Sequence, residues 1–502
     1  MSQIKGHLTD DEVAVAQQRV ILQGITAQVR LSLTESVFLV GFALLLGASN
    51  SVIGIFAAIP FLAQFLQIPS IYLIHRFGSR KKLNFITQLG NRLAVLIMVL
   101  IPYISMTTQG LILLLLSVSI QAIFTSLGTS SWNSWLRDLV PQHQLGAFFS
   151  RRMSIMGAVS VATSLGGGVL VALWLSWSPA DLARAYSILF FIAFISGMIA
   201  VYFTSRTPEP LLFFYDKKPA FLELVAKPFK DGNFRNVMWF SLVWVLSANL
   251  AAPFFSVYLL VRLGFGLQIA AAFVALTQMT SIIFLRFWGR LSDRFSNKSI
   301  LQVTVPIYII GTLLWTFSSV AESVSLLLPL LIIIHVMTGF ASAGVNLAGS
   351  NIDLKIAPRG EAHSYLAARG TINAAAGGVA SVIGGLLADF FASRELYFSF
   401  TWVDPGGVTV IHTYHIQGLD FVFLLSVIIG VFALHRLALV NEIGEVEERV
   451  VVEAIIAETR RNVKTLSTVD GLRQTFHLPL SKRRRRTRST ERINEENLEG
   501  LE

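Results

Sequence analysis

Gln23, Thr26, Arg30 and Thr34 follow one another at intervals of three, four and four residues, and His335, Thr338, Ser342 and Asn346 repeat those intervals in the second half of the chain. At about 100° per residue each set falls on one narrow face of a helix. Both sets lie inside long apolar stretches. Polar residues placed there hold a solute, pair a charge or pass a proton. Arg30 stands roughly 18 Å along its helix at about 1.5 Å per residue, near the middle of a bilayer. A guanidinium at that depth is costly unless it faces water, a counter-ion or a bound solute. Gln121, Thr125, Gly128 and Trp132 form a third stripe, and Trp244, Ser247 and Tyr258 a fourth. The candidate solute-binding residues are therefore Gln23, Arg30, Gln121, Trp132, Trp244, His335 and Asn346. Each has a plainer reading. A lone buried histidine is commonly a hydrogen-bonded packing residue, and Trp132, Trp244 and Tyr258 serve equally as membrane packing.

Glu35 is the candidate proton carrier, with His335 beside it in that role. On a continuous helix Glu35 is five residues, thus about 140°, from Arg30 and off its stripe. It reads as a coupling carboxylate, as a salt-bridge partner to another span, or as a residue at the outer interface. Arg92 reads as a structural pair, with Asn91 beside it. Other chemistries find no support. The chain has no cysteine, so disulfides and thiolate sites are excluded. No Gly-Lys-Ser/Thr phosphate loop occurs, which argues against an ATP-hydrolysing engine. His412 and His415 have no acidic or cysteine partners at ligand spacing. The expectation is no enzyme, no cofactor and no metal.

The elements that position these residues are membrane helices. The 502 residues are 54% hydrophobic and only 14% charged, with a mean hydropathy of +0.64. Segment after segment reaches the roughly 20 apolar residues that cross a bilayer. Their lengths and the absence of alternation exclude a barrel. Spans are expected near 18–43, 51–75, 83–104, 110–136, 151–176, 183–204, 234–260, 267–289, 299–318, 324–350, 364–390 and 418–439. The fold class is an all-α membrane protein, twelve transmembrane helices in two pseudo-symmetric six-helix bundles. Residues 1–17 precede the first bundle (18–204), a linker (205–233) joins it to the second (234–439), and a soluble tail (440–502) follows. Basic turns at 76–82, 137–152, 205–235, 290–298 and 351–363 put both termini in the cytoplasm of a cell-membrane protein. Thr9 and Glu12 fit a capping box opening the first helix. The linker suggests an interfacial helix around Phe221–Phe229, and 391–417 reads as a polar outside loop bearing Asp404-Pro405-Gly406-Gly407. The run Lys482–Arg488 reads as a disordered basic tail near anionic lipid rather than a nucleic-acid site.

The halves repeat. Arg76-Phe77-Gly78-Ser79-Arg80-Lys81-Lys82 returns as Gly289-Arg290-Leu291-Ser292-Asp293-Arg294-Phe295-Ser296-Asn297-Lys298, with Arg76 and Arg294 218 positions apart (294 − 76). Arg152 and Arg369, Pro141 and Pro358, and Gly168 and Gly385 keep nearly the same offset. These turns resemble the loop 2–3 and loop 8–9 signature of the major facilitator superfamily, Gly-x-Leu-x-Asp-Arg-x-Gly-x-Lys/Arg-Lys/Arg. The second copy matches through Gly289, Leu291, Asp293, Arg294 and Lys298, with Ser296 at the second Gly. The first keeps Arg76, Gly78, Arg80 and Lys81 but has Ile71 for the first Gly and His75 for the Asp. The resemblance implies two halves that rock between inward- and outward-open states, with spans 1, 4, 7 and 10 around the cavity. Arg76 and Arg294 are then expected either to latch onto acidic groups such as Asp138 and Asp353, with His75 and Asp293 marking an unequal pair of latches, or only to fix topology and cap helix ends.

Glycines in span 5 (Gly157, Gly166, Gly167, Gly168) mirror those in span 11 (Gly377, Gly378, Gly384, Gly385) and allow close, sliding helix contact. The Gly-Pro of exporter members is missing from span 5. The expected function is secondary transport of a small organic solute by alternating access, coupled to protons, with export as the direction the glycine-rich span 5 suggests and lipids as the other partner. Carriage of an anionic solute at Arg30 is the second reading. A receptor, a pigment-assembly factor or a lipid scramblase on the same scaffold is the alternative from another class.

Overall fold

The structure, a computed structural model of the chain, describes residues 9–178, 181–210, 227–319, 324–358, 362–442, 446, 449–453 and 456. Residues 1–445 form one compact unit and 446–502 a second. The first unit is a helical bundle, because a chain in hydrocarbon must satisfy its backbone hydrogen bonds within each segment. Among the described residues, eleven stretches are long and apolar enough to cross a membrane, and Asn50–Leu66 is a shorter apolar helix.

The first span consists of α1 (Asp10–Thr34) and α2 (Ser36–Leu45). The expected capping box opens α1. The Thr9 hydroxyl accepts from the Glu12 amide at 3.3 Å, and the Glu12 carboxylate accepts from the Thr9 amide at 3.0 Å. The span is not continuous as expected. It breaks at Glu35, whose backbone is extended, and at Ser36, with φ +53°. A non-glycine residue there costs about 1–3 kcal/mol, which the surrounding packing must offset. The second span is also divided, into α3 (Asn50–Ala63), a 3-10 turn (Gln64–Leu66) and α4 (Gln67–Phe77). Pro60 inside α3 lacks the amide that would bond back to the preceding turn.

The first half continues with α5 (Arg80–Ile104), α6 (Thr108–Leu139), α7 (Leu145–Trp177) and α8 (Leu182–Arg206). The second half comprises α9 (Gly232–Val257), which runs into a π turn (Tyr258–Arg262), then α10 (Leu267–Arg294), α11 (Asn297–Thr316), α12 (Val324–Ile356), α13 (Ala362–Phe391) and α14 (Leu419–Ala438). Twelve crossings bring the two ends of the bundle to one side, termed here the terminal side.

One expectation fails on the opposite side. Residues 395–417 form an antiparallel hairpin of β1 (Glu395–Asp404) and β2 (Gly407–Gln417), not an irregular polar loop. Trp402 pairs with Thr409 and Tyr397 with His415, with a bulge at Phe398/Ser399. Leu396, Phe398, Phe400 and Trp402 recur every second residue, the period of a strand. Gly407 at φ +148° makes the turn.

The halves are joined mainly on this hairpin side. One large apolar cluster there draws residues from both, Phe38, Phe42 and Tyr186 with Phe254, Tyr258 and Leu267. Among the described residues, two clusters nearer the termini each belong to one half, Ala16, Val20 and Phe148 in the first and Phe234, Met238 and Tyr365 in the second. Across the divide α3 lies along α13 and α7 along α10. Glycine permits this approach. A methyl group on Gly385 would stand 2.6 Å from the Asn50 carbonyl oxygen, and one on Gly168 would stand 3.0 Å from Gln268 Cα.

Residues 221–226 of the expected linker helix lie outside the described residues; Lys227–Lys230 is a 3-10 turn. The run Lys482–Arg488 is likewise outside them. The tail does not begin at 440 as expected. Val440 is fully buried, Asn441 hydrogen-bonds Asn233, and Glu442 contacts α11, so the first unit continues through these residues.

Candidate solute-binding site

A cavity of about 490 Å³ lies where span 1 breaks. It is bounded by α1, α2, α3, α5 and α6 of the first half and by Ala252, Pro253 and Ser256 of α9. Such a volume suits a small organic molecule. Spans 1, 4 and 7 line it as the resemblance implied. Span 10 does not, and span 2 takes its place.

Arg30 and Glu35 both face this cavity. The 140° separation fails because it assumed an unbroken helix; the turn at Ser36 brings Glu35 round to the Arg30 side. Arg30 is buried, at 7% exposure. Its Nη1 donates to Thr34 Oγ1 and Gln121 Oε1, both at a long 3.4 Å, and its Nε has no partner. Gln121 is held from behind by Ser117 Oγ and Met98 Sδ. Asn91 ties Gln121 to Thr125, donating to the Gln121 carbonyl oxygen at 2.9 Å and to Thr125 Oγ1 at 3.0 Å. Arg92 pairs with Asn91 Oδ1 at 3.1 Å. Glu35 is deep among protein atoms yet accessible through the cavity. Its carboxylate is not in ion-pair contact with Arg30. The site offers a guanidinium and a carboxylate, both underused, at a discontinuity in a membrane helix.

The remaining expected residues are dispersed. Gln23 and Trp132 line an adjoining cavity of about 180 Å³ with Arg30 and Arg92. Trp132 also packs edge-on against Trp135. Trp244 and Asn346 line a separate cavity of about 350 Å³ in the second half, with Asp353 and Arg369. His335 lines none of these cavities. Its ring stacks on Phe273 at 4.7 Å, meets Trp315 edge-on at 5.4 Å, and holds the Leu331 carbonyl through Nδ1 at 2.8 Å. Of its two readings, packing is the one the geometry matches. Ser247 and Tyr258 are likewise engaged within the second half, with Ser426 and Ser318.

The basic turns are built differently from the expectation. Asp138 is gripped by Arg80, not Arg76, with Nη1–Oδ2 at 2.5 Å. Arg80 is 1% exposed and also donates to the Ser134 and Pro210 carbonyls. Asp353 is gripped by Arg369, not Arg294, at 2.5 Å. Arg76, Asp293 and Arg294 are exposed, and Arg294 lies over the Phe295 ring. His75 sits on α4, with its side chain outside the described residues. Each observed pair stays within one half. The reason is register: at the end of α4 Arg76 points outward, while Arg80, opening α5, points into the packed interface with α6.

Three acidic residues that the sequence did not single out do the capping. Glu209 accepts from Ser79 Oγ and the Arg80 amide, both at 2.6 Å, and so caps α5. Glu442 repeats this on α11, accepting from the Asn297 and Lys298 amides at 3.1 and 2.7 Å. Asp389, at the end of α13, reaches across the halves to α3. It accepts from the Asn50 and Ser51 amides at 2.9 and 2.8 Å and from Ser51 Oγ at 2.5 Å. The run Ser49-Asn50-Ser51 before an apolar stretch is a readable helix start. What reads nowhere in sequence is that its cap comes from the other half.

Comparison with known proteins follows the same lines. A family described as the Major Facilitator Superfamily matches residues 27–381. No curated protein matches. Among solved structures, the chain is similar to the nucleoside transporter NupG, at 13% identity and a TM-score of 0.62, over 86% of this chain and 100% of that one. It is also similar to a D-xylose-proton symporter, at 14% identity and a TM-score of 0.60, over 87% of this chain and 98% of that one. A bacterial homologue of the iron transporter ferroportin in an inward-facing state aligns at 13% identity and a TM-score of 0.59, over 84% and 98% of the two chains. At these identities the likeness speaks for the fold.

Proposed function

Since the chain belongs to the Major Facilitator Superfamily, we propose that it is a secondary active transporter that carries a small organic solute by alternating access, coupled to protons through Glu35. The observation that carries this reading is the break in span 1. Helices that cross a membrane are interrupted where backbone and side chains must face a solute or ion rather than lipid. Here the interruption places the Glu35 carboxylate in a cavity bounded by both halves. The cross-half contacts support the moving step. They are concentrated on the hairpin side, while the clusters nearer the termini stay within single halves. With the basic turns facing the cytoplasm, this is a state closed to the outside.

The test is a flux assay in proteoliposomes loaded with a pH-reporting dye. A panel of sugars, nucleosides, amino acids and organic acids is added outside, one at a time. At least one solute should drive proton movement, and Glu35→Gln should abolish that movement. Solute flux with no accompanying protons would refute the coupling. Binding without flux under any gradient would favour a receptor instead.

A further inference from the structure

Two guanidiniums stand against one carboxylate in the polar layer of the first half. Arg30 and Glu35 are the charged residues among the described lining of the central cavity. Arg92 lines the adjoining cavity with Arg30, and its partners are neutral, the Gly197 carbonyl oxygen at 3.4 Å and Asn91 Oδ1 at 3.1 Å. Arg30 makes only two long hydrogen bonds and leaves Nε unpaired while 7% exposed. A cation so thinly satisfied recovers energy from a bound anion. The ten-residue helix α2 begins at the same place. Glu35, its N-cap, gives no side-chain hydrogen bond to the first amides, and Ser36 faces the cavity. A helix start and an orphaned guanidinium thus converge on one spot, a pairing suited to a carboxylate or sulfonate. The rest of the wall is largely apolar, with Leu39, Val40, Ile53, Phe56 and Val118.

We infer that the transported solute is a small organic monoanion on an apolar body, its charged head seated between Arg30 and the start of α2. This rests on the transporter reading with Glu35 as proton carrier. The groups facing Glu35 from the other elements are neutral: Ser160 and Ser164 of α7, Gln278 of α10, Ser256 of α9, Gln121 and Thr125 of α6, Asn91 of α5 and Gln64 following α3. Arg92 opens onto the adjoining cavity and does not line the central one, so Arg30 and Glu35 set the charge of the central cavity. Ionised Glu35 cancels Arg30, and an incoming anion meets a carboxylate. Protonated Glu35 leaves the cavity at one positive charge, which the anion neutralises. Anion and proton bind together and cross as an electroneutral pair.

The probes are benzoate, phenylacetate, hexanoate and benzenesulfonate, each against its neutral amide, binding to the purified full chain in lipid nanodiscs. At least one acid should bind about tenfold or more tighter than its amide. Its affinity should rise as pH falls between about pH 8.5 and pH 6, approaching tenfold per unit for one linked proton. Arg30→Gln should erase the preference for the acid, and Arg30→Lys should keep part of it. Glu35→Gln should bind the acid with no pH dependence. If Arg30→Gln fails to fold, the Arg30→Lys and Glu35→Gln arms still decide. Acids binding no tighter than amides, or an Arg30→Gln protein that still prefers acids, overturns the inference. The two readings fail separately. Proton flux driven by neutral solutes alone removes the anion and keeps the carrier. Pairwise acid binding without flux removes the carrier and keeps the anion site.

Discussion

Replacing Asp389 should release the closed side of the protein. In this state its carboxylate takes the Asn50 and Ser51 amides and the Ser51 hydroxyl, at 2.9, 2.8 and 2.5 Å. The next amide, Val52, goes to Ser49 Oγ at 3.4 Å, so the start of α3 is fully capped only when the halves meet. Removing a helix-capping side chain costs about 0.5–2 kcal/mol, and a charged acceptor lies at the upper end of that range. When the halves part, water replaces Asp389 at the amides and the carboxylate is hydrated, so the loss falls on the closed state. At about 2 kcal/mol, Asp389→Ala lowers the closed-to-open ratio about thirtyfold, since about 1.4 kcal/mol is tenfold. Asp389→Asn, which keeps one acceptor oxygen, lowers it several-fold. The chain has no native cysteine, so spin labels on Gln109→Cys and Ser393→Cys report the distance across the halves without background. Both positions are exposed on the hairpin side, one in each half. The long-distance population should grow in the order wild type, Asn, Ala, with the melting temperature nearly unchanged. An unchanged distribution, or a shift toward the short distance, would refute the capping argument.

The same label pair should lengthen in Gly385→Val, whose side chain meets the Asn50 carbonyl oxygen, and stay put in Gly166→Ala, which meets nothing within 4 Å. Arg80→Ala removes the donor of Asp138 Oδ2 and of the Pro210 carbonyl oxygen, leaving Asp138 only the exposed Arg137 at 3.5 Å, and should cost about 1–3 kcal/mol, read as a lower melting temperature. Arg76→Ala should fall within about 0.5 kcal/mol of wild type; equal losses for the two would restore Arg76 as the structural arginine. In the hairpin, the Tyr397 hydroxyl, followed by nearby His415, holds Glu395 below its ordinary value of 4.5. A carboxylate with a depressed folded value stabilises above its unfolded value and loses that contribution as pH falls. Amide protection in β1 and β2, taken relative to the unstructured exchange rate at each pH, should therefore fall from about pH 4.5 downward, and Glu395→Gln should flatten the profile.

The spans and the internal repeat were legible because hydrocarbon imposes length and apolarity on every crossing. So were the Thr9–Glu12 cap and the polar faces that carry Arg30 and Gln121 to one cavity wall, which depend on local spacing alone. The break at Glu35–Ser36 was not legible. Neither residue is a glycine or proline, and the φ of +53° at Ser36 is imposed by packing around it. His335 misled because equal spacing on α12 says which residues share a face, not whether that face meets a cavity or Phe273 and Trp315. Arg76 misled in the same way: the turn was found, but the arginine that reaches Asp138 lies four positions on, past the left-handed Gly78. Asp389, Glu209 and Glu442 act on helices distant in sequence, and no local pattern reports a cap supplied from elsewhere in the fold.

The most direct test of the account uses any solute that moves protons in the flux assay, with wild type and Glu35→Gln compared in two modes. Proton-driven accumulation requires the carboxylate to load and unload, whereas exchange of preloaded solute at equal pH requires only the moving halves. Glu35→Gln should abolish accumulation and retain exchange. Accumulation at the wild-type level in Glu35→Gln would contradict it.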